Sequence, residues 1–153
     1  MPRAYVGLGA NLGDRAATIA EAVARLGADP QVEVVAVSAL RETAPEGPIQ
    51  AQPAFLNGAV ALETTLAPRD LLRRLLAVEA DLGRTRSGPR GGPRTIDLDL
   101  LIYGETILDE PDLTVPHPRL QERRFALEPL AELQPGLEVP GKGSVEALLA
   151  RLD

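Results

Sequence analysis

Apolar residues recur along the chain with two different spacings, and the spacing predicts which segments form strands and which form helices. Residues 4–10, 32–40 and 54–64 alternate or are rich in β-branched side chains, which favours strands. Residues 15–27 carry apolar side chains at every third or fourth position, which favours a helix. Pro68 stands at the favoured first position of a second amphipathic helix.

A fourth strand is predicted over residues 95–103, where two aspartates interrupt an otherwise apolar run. Because side chains alternate along a strand, one face should carry Thr95, Asp97, Asp99, Leu101 and Tyr103. The leucines and isoleucines between them should form the opposite face, in the core. Two short helices, at 119–131 and 144–152, complete the chain.

The order strand, helix, strand, strand, helix, strand indicates an α+β protein with the ferredoxin-like βαββαβ arrangement. We expect an antiparallel sheet, helices packed on one of its faces and a C-terminal extension, with the other face or an edge free for a ligand. Residues 1–153 are predicted to form a single domain, because their number is ordinary for one hydrophobic core.

Composition narrows the range of partners. The net charge of −6 argues against nucleic-acid binding, and no apolar run is long enough to span a membrane. The chain has no cysteine and no signal peptide, so a cytoplasmic location is expected, and a monomer is the default. The basic residues are nearly all arginine and form two clusters, which suits a small polyanionic ligand: Arg84, Arg86, Arg90 and Arg94, then Arg119, Arg123 and Arg124.

The aspartate pair is the strongest candidate for chemistry. On one strand face, the backbones of Asp97 and Asp99 lie about 6.5–7 Å apart. Two close carboxylates repel each other unless cations neutralise them, and Mg²⁺, which arrives with substrate phosphates, prefers such oxygens. The alternative is the solvated face of an edge strand.

The loop 83–93 before this strand combines glycines with arginines, and Arg94 follows it. Glycine permits close backbone approach, and arginine offers paired donors to phosphate oxygens. The interpretation is a lid that closes on a triphosphate; the alternative is a surface hairpin.

Three other positions have both a functional and a structural interpretation. Phe55 and Asn57 share a strand face and could stack on and read a planar heteroaromatic ring, although Phe55 could equally belong to the core. His117, the only histidine, is presented between two prolines and is either incidental or a donor to phosphate. Glu79 lies on the apolar stripe of the second helix, either at its edge or aimed into a site.

Taken together, these segments resemble the 6-hydroxymethyl-7,8-dihydropterin pyrophosphokinase family of folate biosynthesis. The resemblance covers nearly the whole chain. Its motifs are Tyr-Val-Gly-Leu-Gly-Ala-Asn-Leu-Gly-Asp at 5–14, Gln-Pro-Ala-Phe-Leu-Asn at 52–57, Gly-Pro-Arg-Thr-Ile-Asp-Leu-Asp at 92–99, Val-Pro-His-Pro-Arg at 115–119 and Arg-Arg-Phe at 123–125.

The resemblance implies transfer of the β,γ-diphosphate of ATP to the hydroxymethyl oxygen of the pterin, with AMP as the other product. It implies two Mg²⁺ ions on Asp97 and Asp99, with Arg84 and Arg94 as the other catalytic residues. The implied ATP-site residues are Arg84, Arg86, Arg94, Thr114, His117, Arg123 and Glu79. The implied pterin-site residues are Thr43, Ala44, Glu46, Phe55, Asn57 and Phe125.

Gly91, Asp112 and Pro118 depart from residues that some relatives carry, which leaves the nucleotide contacts open. Two other classes of function also remain open. One is a Mg²⁺-dependent nucleotidyltransferase, which would release diphosphate instead of AMP. The other is a non-catalytic ferredoxin-like module that binds a small ligand.

Overall fold

The computed structural model describes residues 2–44, 53–83 and 96–153. The sheet region comprises, in order, β1 (Arg3–Ala10), α1 (Arg15–Gly27), β2 (Val32–Val37), β3 (Arg41–Thr43), β4 (Phe55–Thr64), α2 (Pro68–Asp81) and β5 (Asp97–Tyr103). After it come β6 (Leu108–Glu110), β7 (Leu113–Val115), a 3₁₀ turn (Leu120–Glu122), α3 (Arg124–Leu133), β8 (Glu138–Val139), β9 (Gly143–Ser144) and α4 (Val145–Ala150). Glu46, Arg84, Arg86, Arg94 and nearly all of the loop 83–93 lie outside the described residues.

The main sheet has the strand order β2-β4-β1-β5, and each neighbouring pair is antiparallel. This is the order of the ferredoxin-like fold, so the fold predicted from the sequence is confirmed. The short strand β3, which was not predicted, pairs with the beginning of β4. The predicted strand 32–40 therefore ends early, at Val37.

Helices α1 and α2 cover one face of the sheet. The side chain of Asp14 caps α1 by accepting a hydrogen bond from the backbone of Ala17 at 3.1 Å. Ile19 and Leu26 of α1, together with Leu71 and Leu75 of α2, are at most 2% exposed. They join the sheet residues of the main core.

The other face of the sheet is not left free as expected, because α3 and α4 pack against part of it. Ala59, Ala61 and Leu101 of the sheet form a second buried cluster with Leu127 of α3 and Leu148 of α4. The predicted extension thus folds back as a second layer. The Asp97 end of β5 lies next to this layer and carries the site described below.

A register shift in β5 changes which face its last residues occupy. Val6 pairs with Leu100 but Tyr5 pairs with Ile102, so Leu101 is an extra residue in the ladder. Ile102 consequently joins the second cluster, and Tyr103 joins the main core. The prediction that Tyr103 shares a face with the aspartates is therefore wrong.

Candidate active site

The aspartate pair lies beside two glycines of the neighbouring strand. Asp97 pairs with Gly9 and Asp99 pairs with Gly7, and all four residues line one narrow pocket. A Cβ atom on Gly9 would lie 2.9 Å from Oδ1 of Asn57 and 3.9 Å from Cβ of Asp97. The glycines therefore leave space next to the carboxylates. Both aspartates are half-buried.

The same pocket is lined by Asn57 of β4 and by Phe125 at the start of α3. Asn57 is only 7% exposed, and its amide nitrogen donates to the hydroxyl of Thr43. Thr43 in turn pairs with Phe55 in the β3–β4 ladder, and Ala44 follows it at an exposed position. Phe55 and Phe125 are both half-buried. Neither phenylalanine is fully buried, although Phe125 packs against the second cluster.

Arg123 connects the aromatic and acidic sides of this pocket. Its Nη1 lies 3.9 Å from Oδ2 of Asp99, and its guanidinium carbon lies 5.6 Å from the centre of the Phe125 ring. The Nε atom of Arg123 is buried without a hydrogen-bond partner in the structure as described. A buried donor of this kind is rare in folded proteins, and an acceptor on a bound ligand would satisfy it.

A second, larger cavity lies on the other side of Asp99. Its volume is about 530 Å³, within the usual range for small-molecule sites. It is lined by residues of α2, of β5 and of the hairpin β6–β7 with the segment after it. The lining residues are Leu72 and Leu76, then Leu98, Asp99 and Leu100, then Pro111, Asp112, Leu113, Thr114, His117 and Pro118.

Two hydrogen bonds position His117, one made by its backbone and one by its imidazole ring. Its own N–H donates to the carbonyl of Leu101 at 2.9 Å, and its Nδ1 accepts from the N–H of Arg119 at 3.1 Å. With Nδ1 occupied as an acceptor, the neutral ring carries its proton on Nε2. Burial, reinforced mainly by the positive charge of Arg123, lowers the pKa of His117 to about 4. At neutral pH the ring is therefore an uncharged donor rather than a cation.

This low pKa gives a testable prediction. We expect the single histidine signal in the NMR spectrum of the folded protein to titrate with a midpoint near pH 4, against about 6.5 in the urea-unfolded chain. Between these values the unfolded chain binds more protons, so folding stability should decrease as the pH falls through this window. A folded-state midpoint near 6.5 would contradict the described environment.

Two acidic residues near the large cavity are held by hydrogen bonds to other parts of the chain. Glu79 does not lie at the edge of its helix stripe: it is 2% exposed and accepts a hydrogen bond from the N–H of Leu98 at 2.7 Å. Glu79 therefore contacts the backbone of β5 at Leu98, a residue that lines the large cavity. Asp112 is paired with Arg69 of α2, and this hydrogen bond lowers the pKa of the Asp112 carboxyl.

The structure thus gathers most of the described candidates around Asp99. The narrow pocket is lined by Asn57, Asp97, Asp99, Arg123 and Phe125, and the large cavity by Asp99, Thr114 and His117. Near the narrow pocket, in and just after the paired part of β3 and β4, lie Thr43, Ala44 and Phe55. Glu79 contacts the backbone of β5. Sequence reasoning missed the glycine side of the narrow pocket and the walls of the large cavity. Leu72 and Leu76 follow the same helical spacing as core leucines, so no sequence signal separates them.

The donor chemistry fits a hard divalent cation whose coordination is completed by a ligand. Within residues 2–44, 53–83 and 96–153, no group of three or more His, Cys, Asp or Glu side chains could hold a metal ion. The aspartate pair offers carboxylate oxygens from two residues, next to the space left by the glycines. Mg²⁺ usually binds in this way, through one or two carboxylates together with substrate phosphates and water.

Two cavities that meet at one carboxylate, that of Asp99, are an arrangement suited to a two-substrate transferase. The sequence model described as 7,8-dihydro-6-hydroxymethylpterin-pyrophosphokinase (HPPK) matches residues 5–135. The chain belongs to this family.

Curated relatives support this assignment over almost the full chain. A protein of Methylorubrum extorquens is 48% identical over 153 residues, which is 100% of this chain and 95% of that protein. A protein of Pseudomonas aeruginosa is 47% identical and covers 97% of this chain and 90% of its own length. Both are named 2-amino-4-hydroxy-6-hydroxymethyldihydropteridine pyrophosphokinase.

Solved structures show the same fold at low sequence identity. A structure titled HPPK-DHPS in complex with substrates superposes with a TM-score of 0.75 at 13% identity and covers 98% of this chain. HPPK-DHPS from Plasmodium falciparum superposes with a TM-score of 0.73 at 15% identity, also over 98% of this chain. This chain spans only 43% and 44% of those two chains. In the described part of this chain, no helix has the length and apolarity needed to cross a membrane.

Proposed function

We propose that this chain transfers the β,γ-diphosphate of ATP, as one unit, to the hydroxymethyl oxygen of 6-hydroxymethyl-7,8-dihydropterin. The products are AMP and the pterin diphosphate, and the reaction belongs to folate biosynthesis. The supporting observation is that Asp99 lines both the narrow pocket and the large cavity. A ligand in each would bring its reactive end to the same carboxylate, which is the positioning that phosphoryl-type transfer depends on.

The narrow pocket is the proposed pterin site. Asn57 offers an amide donor and acceptor for the edge of the ring, and its orientation is set by Thr43. Phe125 lines the pocket, and Phe55 lies on the same face of β4 as Asn57. The two aromatic rings supply flat apolar surface for a planar heterocycle. Ala44 and Glu46 stay predicted pterin contacts.

The large cavity is the proposed ATP site. The leucines of α2 and β5 give it an apolar lining for the base, and Thr114 and the Nε2 donor of His117 provide hydrogen bonds. Arg123 lies near Asp99 and would contact the phosphate that is being transferred. Arg84, Arg86, Arg94 and Glu79 stay predicted contributors to this site.

Asp97 and Asp99 are the proposed holders of two Mg²⁺ ions. When bound, these ions would neutralise phosphate charge and lower the pKa of the attacking hydroxyl. Both aspartates and Arg123 line the space where the transferred group would pass. Exclusion of water from that space would favour transfer over hydrolysis of ATP.

Identification of the nucleotide product tests this function. The protein is incubated with ATP, Mg²⁺ and the reduced pterin, and the products are separated by anion-exchange chromatography. AMP formed in equal amount to the pterin diphosphate supports the proposal. Release of free diphosphate would indicate a nucleotidyltransferase, and ligand binding without turnover would indicate a non-catalytic module. A cytoplasmic location, a monomeric state and a single domain over residues 1–153 stay predictions.

Phe55→Ala tests the stacking role. We expect the Kd for the pterin to rise about 10-fold, since a stacked aromatic contributes about 1–3 kcal/mol to binding a planar base. The Kd for a non-hydrolysable ATP analogue should stay within about 2-fold, because Phe55 is not among the described residues that line the large cavity. Isothermal titration calorimetry measures both constants.

Phe55→Leu is the matched variant, because it keeps apolar bulk and removes only the aromatic face. An intermediate loss of pterin affinity is expected for it. Equal losses of pterin and ATP-analogue affinity in Phe55→Ala would contradict the stacking role.

A further inference from the structure

Arg15, the first residue of α1, makes contacts that none of the proposed roles uses. Its Nη1 donates to the carbonyl of Ala54 at 2.9 Å, and its Nη2 donates to Oε1 of Glu42 at 2.6 Å. Glu42 belongs to β3, and Ala54 immediately precedes β4. The guanidinium of Arg15 thus connects β3 to the residue that precedes β4.

A neighbouring contact reinforces this connection. The amide of Asn11, which is 2% exposed, donates to the carbonyl of Pro53 at 3.1 Å. Asn11 in the turn before α1 and Arg15 at the start of α1 therefore hold two successive carbonyls, those of Pro53 and Ala54. Both lie directly before Phe55.

The connected end of the β3–β4 ladder is the part that carries the proposed pterin contacts. Glu42 pairs with Leu56, and the next pair is Thr43 with Phe55. The hydroxyl of Thr43 accepts from Asn57, which lines the narrow pocket. A shift of β3 relative to β4 would displace Thr43, and with it the amide of Asn57.

We propose that Arg15 is a positioning residue for the pterin: by joining Glu42 to Ala54 it fixes the Thr43, Phe55 and Asn57 side chains in the geometry that receives the ring. This inference rests on the proposed function, since it takes the narrow pocket as the pterin site. Arg15 does not touch the ring itself. Its effect passes through the two strands whose ends it holds.

The bridge is suited to positioning more than to global stability. The side chains of Arg15 and Glu42 are 27% and 63% exposed, and exposed ion pairs contribute little to folding free energy. Arg15→Ala should therefore fold. Because binding depends on pre-organised contacts, the same substitution should weaken pterin affinity.

The test compares pterin and nucleotide affinity in matched variants by calorimetry. Arg15→Ala should raise the Kd for 6-hydroxymethyl-7,8-dihydropterin about 10-fold and leave that for a non-hydrolysable ATP analogue within about 2-fold. Arg15→Lys, which keeps the charge but loses the paired donors, should fall between Arg15→Ala and the wild type. Arg25→Ala is the control, because Arg25 lies on the same helix and pairs with Glu21 at 3.0 Å and Asp81 at 3.6 Å.

Two results would overturn the inference: wild-type pterin affinity in Arg15→Ala, or equal losses of pterin and nucleotide affinity. If Arg15→Ala does not fold, Arg15→Lys and Glu42→Ala decide, and wild-type pterin affinity in both would overturn it. Failure of the proposed function is distinguishable, because the wild-type protein itself would then bind no pterin.

Discussion

Replacing Asp97 or Asp99 by alanine is expected to lower kcat by at least about 10³-fold at ordinary Mg²⁺ concentrations, comparable to loss of a key electrostatic stabiliser. Both aspartates line the narrow pocket, and Asp99 also lines the large cavity. Removing either carboxylate leaves fewer oxygens to hold the ions against the triphosphate. The fold should persist, because both side chains are only half-buried.

Steady-state kinetics over a range of Mg²⁺ concentrations measures this effect. Asp97→Asn should recover part of the activity when Mg²⁺ is raised, since the amide oxygen remains a weak ligand. Asp109→Ala is the control: Asp109 is an exposed residue of β6, pairs with Thr114 in the hairpin, and should keep wild-type turnover. Near-normal turnover in Asp97→Ala or in Asp99→Ala would reject the metal-holding role.

The sequence was sufficient to predict the elements whose periodicity is long. Strands β1, β4 and β5 and helices α1 and α2 lie within a few residues of their predicted positions. The family resemblance is confirmed by the match over residues 5–135. These features depend on many residues each, so a single irregular position does not obscure them.

The short elements could not be predicted in the same way. β3, β6 and β7 have three residues each, which is too few for a pattern. The register shift at Leu101 depends on pairing with β1, a tertiary contact that no local signal reports. The packing of α3 and α4 on the second face of the sheet is likewise a tertiary contact. It depends on apolar sheet residues, such as Ala59 and Ala61, that the sequence does not distinguish from residues of the main core.

The site was predictable where its chemistry needs unusual residues and unpredictable where it uses ordinary ones. The period of two in a strand placed Asp97 and Asp99 together, and the structure has them in one pocket. In contrast, Leu76 lines the large cavity and its neighbour Leu75 is buried in the core, although both belong to the same apolar stripe of α2. The position of Glu79 stayed open for a related reason, because a helical stripe does not show that a buried carboxylate has a backbone N–H as its partner.

Arg123→Ala is expected to reduce kcat/KM by about 10²-fold, the size of effect found when one donor to a developing charge is removed. Arg123 lies within 3.9 Å of Asp99, and its buried Nε has no partner within the described chain. A phosphate oxygen in the space beside Asp99 would accept from this donor. Arg123→Lys keeps the charge but loses the planar fork, so it should retain only about a tenth of the wild-type value.

Arg119→Ala provides the matched control for this prediction. Arg119 belongs to the same basic cluster, but its side chain is 51% exposed and lies 3.7 Å from Glu122. An exposed ion pair of this kind contributes little, so kcat/KM should stay within about 2-fold of the wild type. Equal losses in Arg119→Ala and Arg123→Ala would mean that the cluster acts only through its overall charge. A loss confined to Arg123 instead ties the effect to one guanidinium between the aromatic ring and the acidic pair, because the two variants remove the same charge.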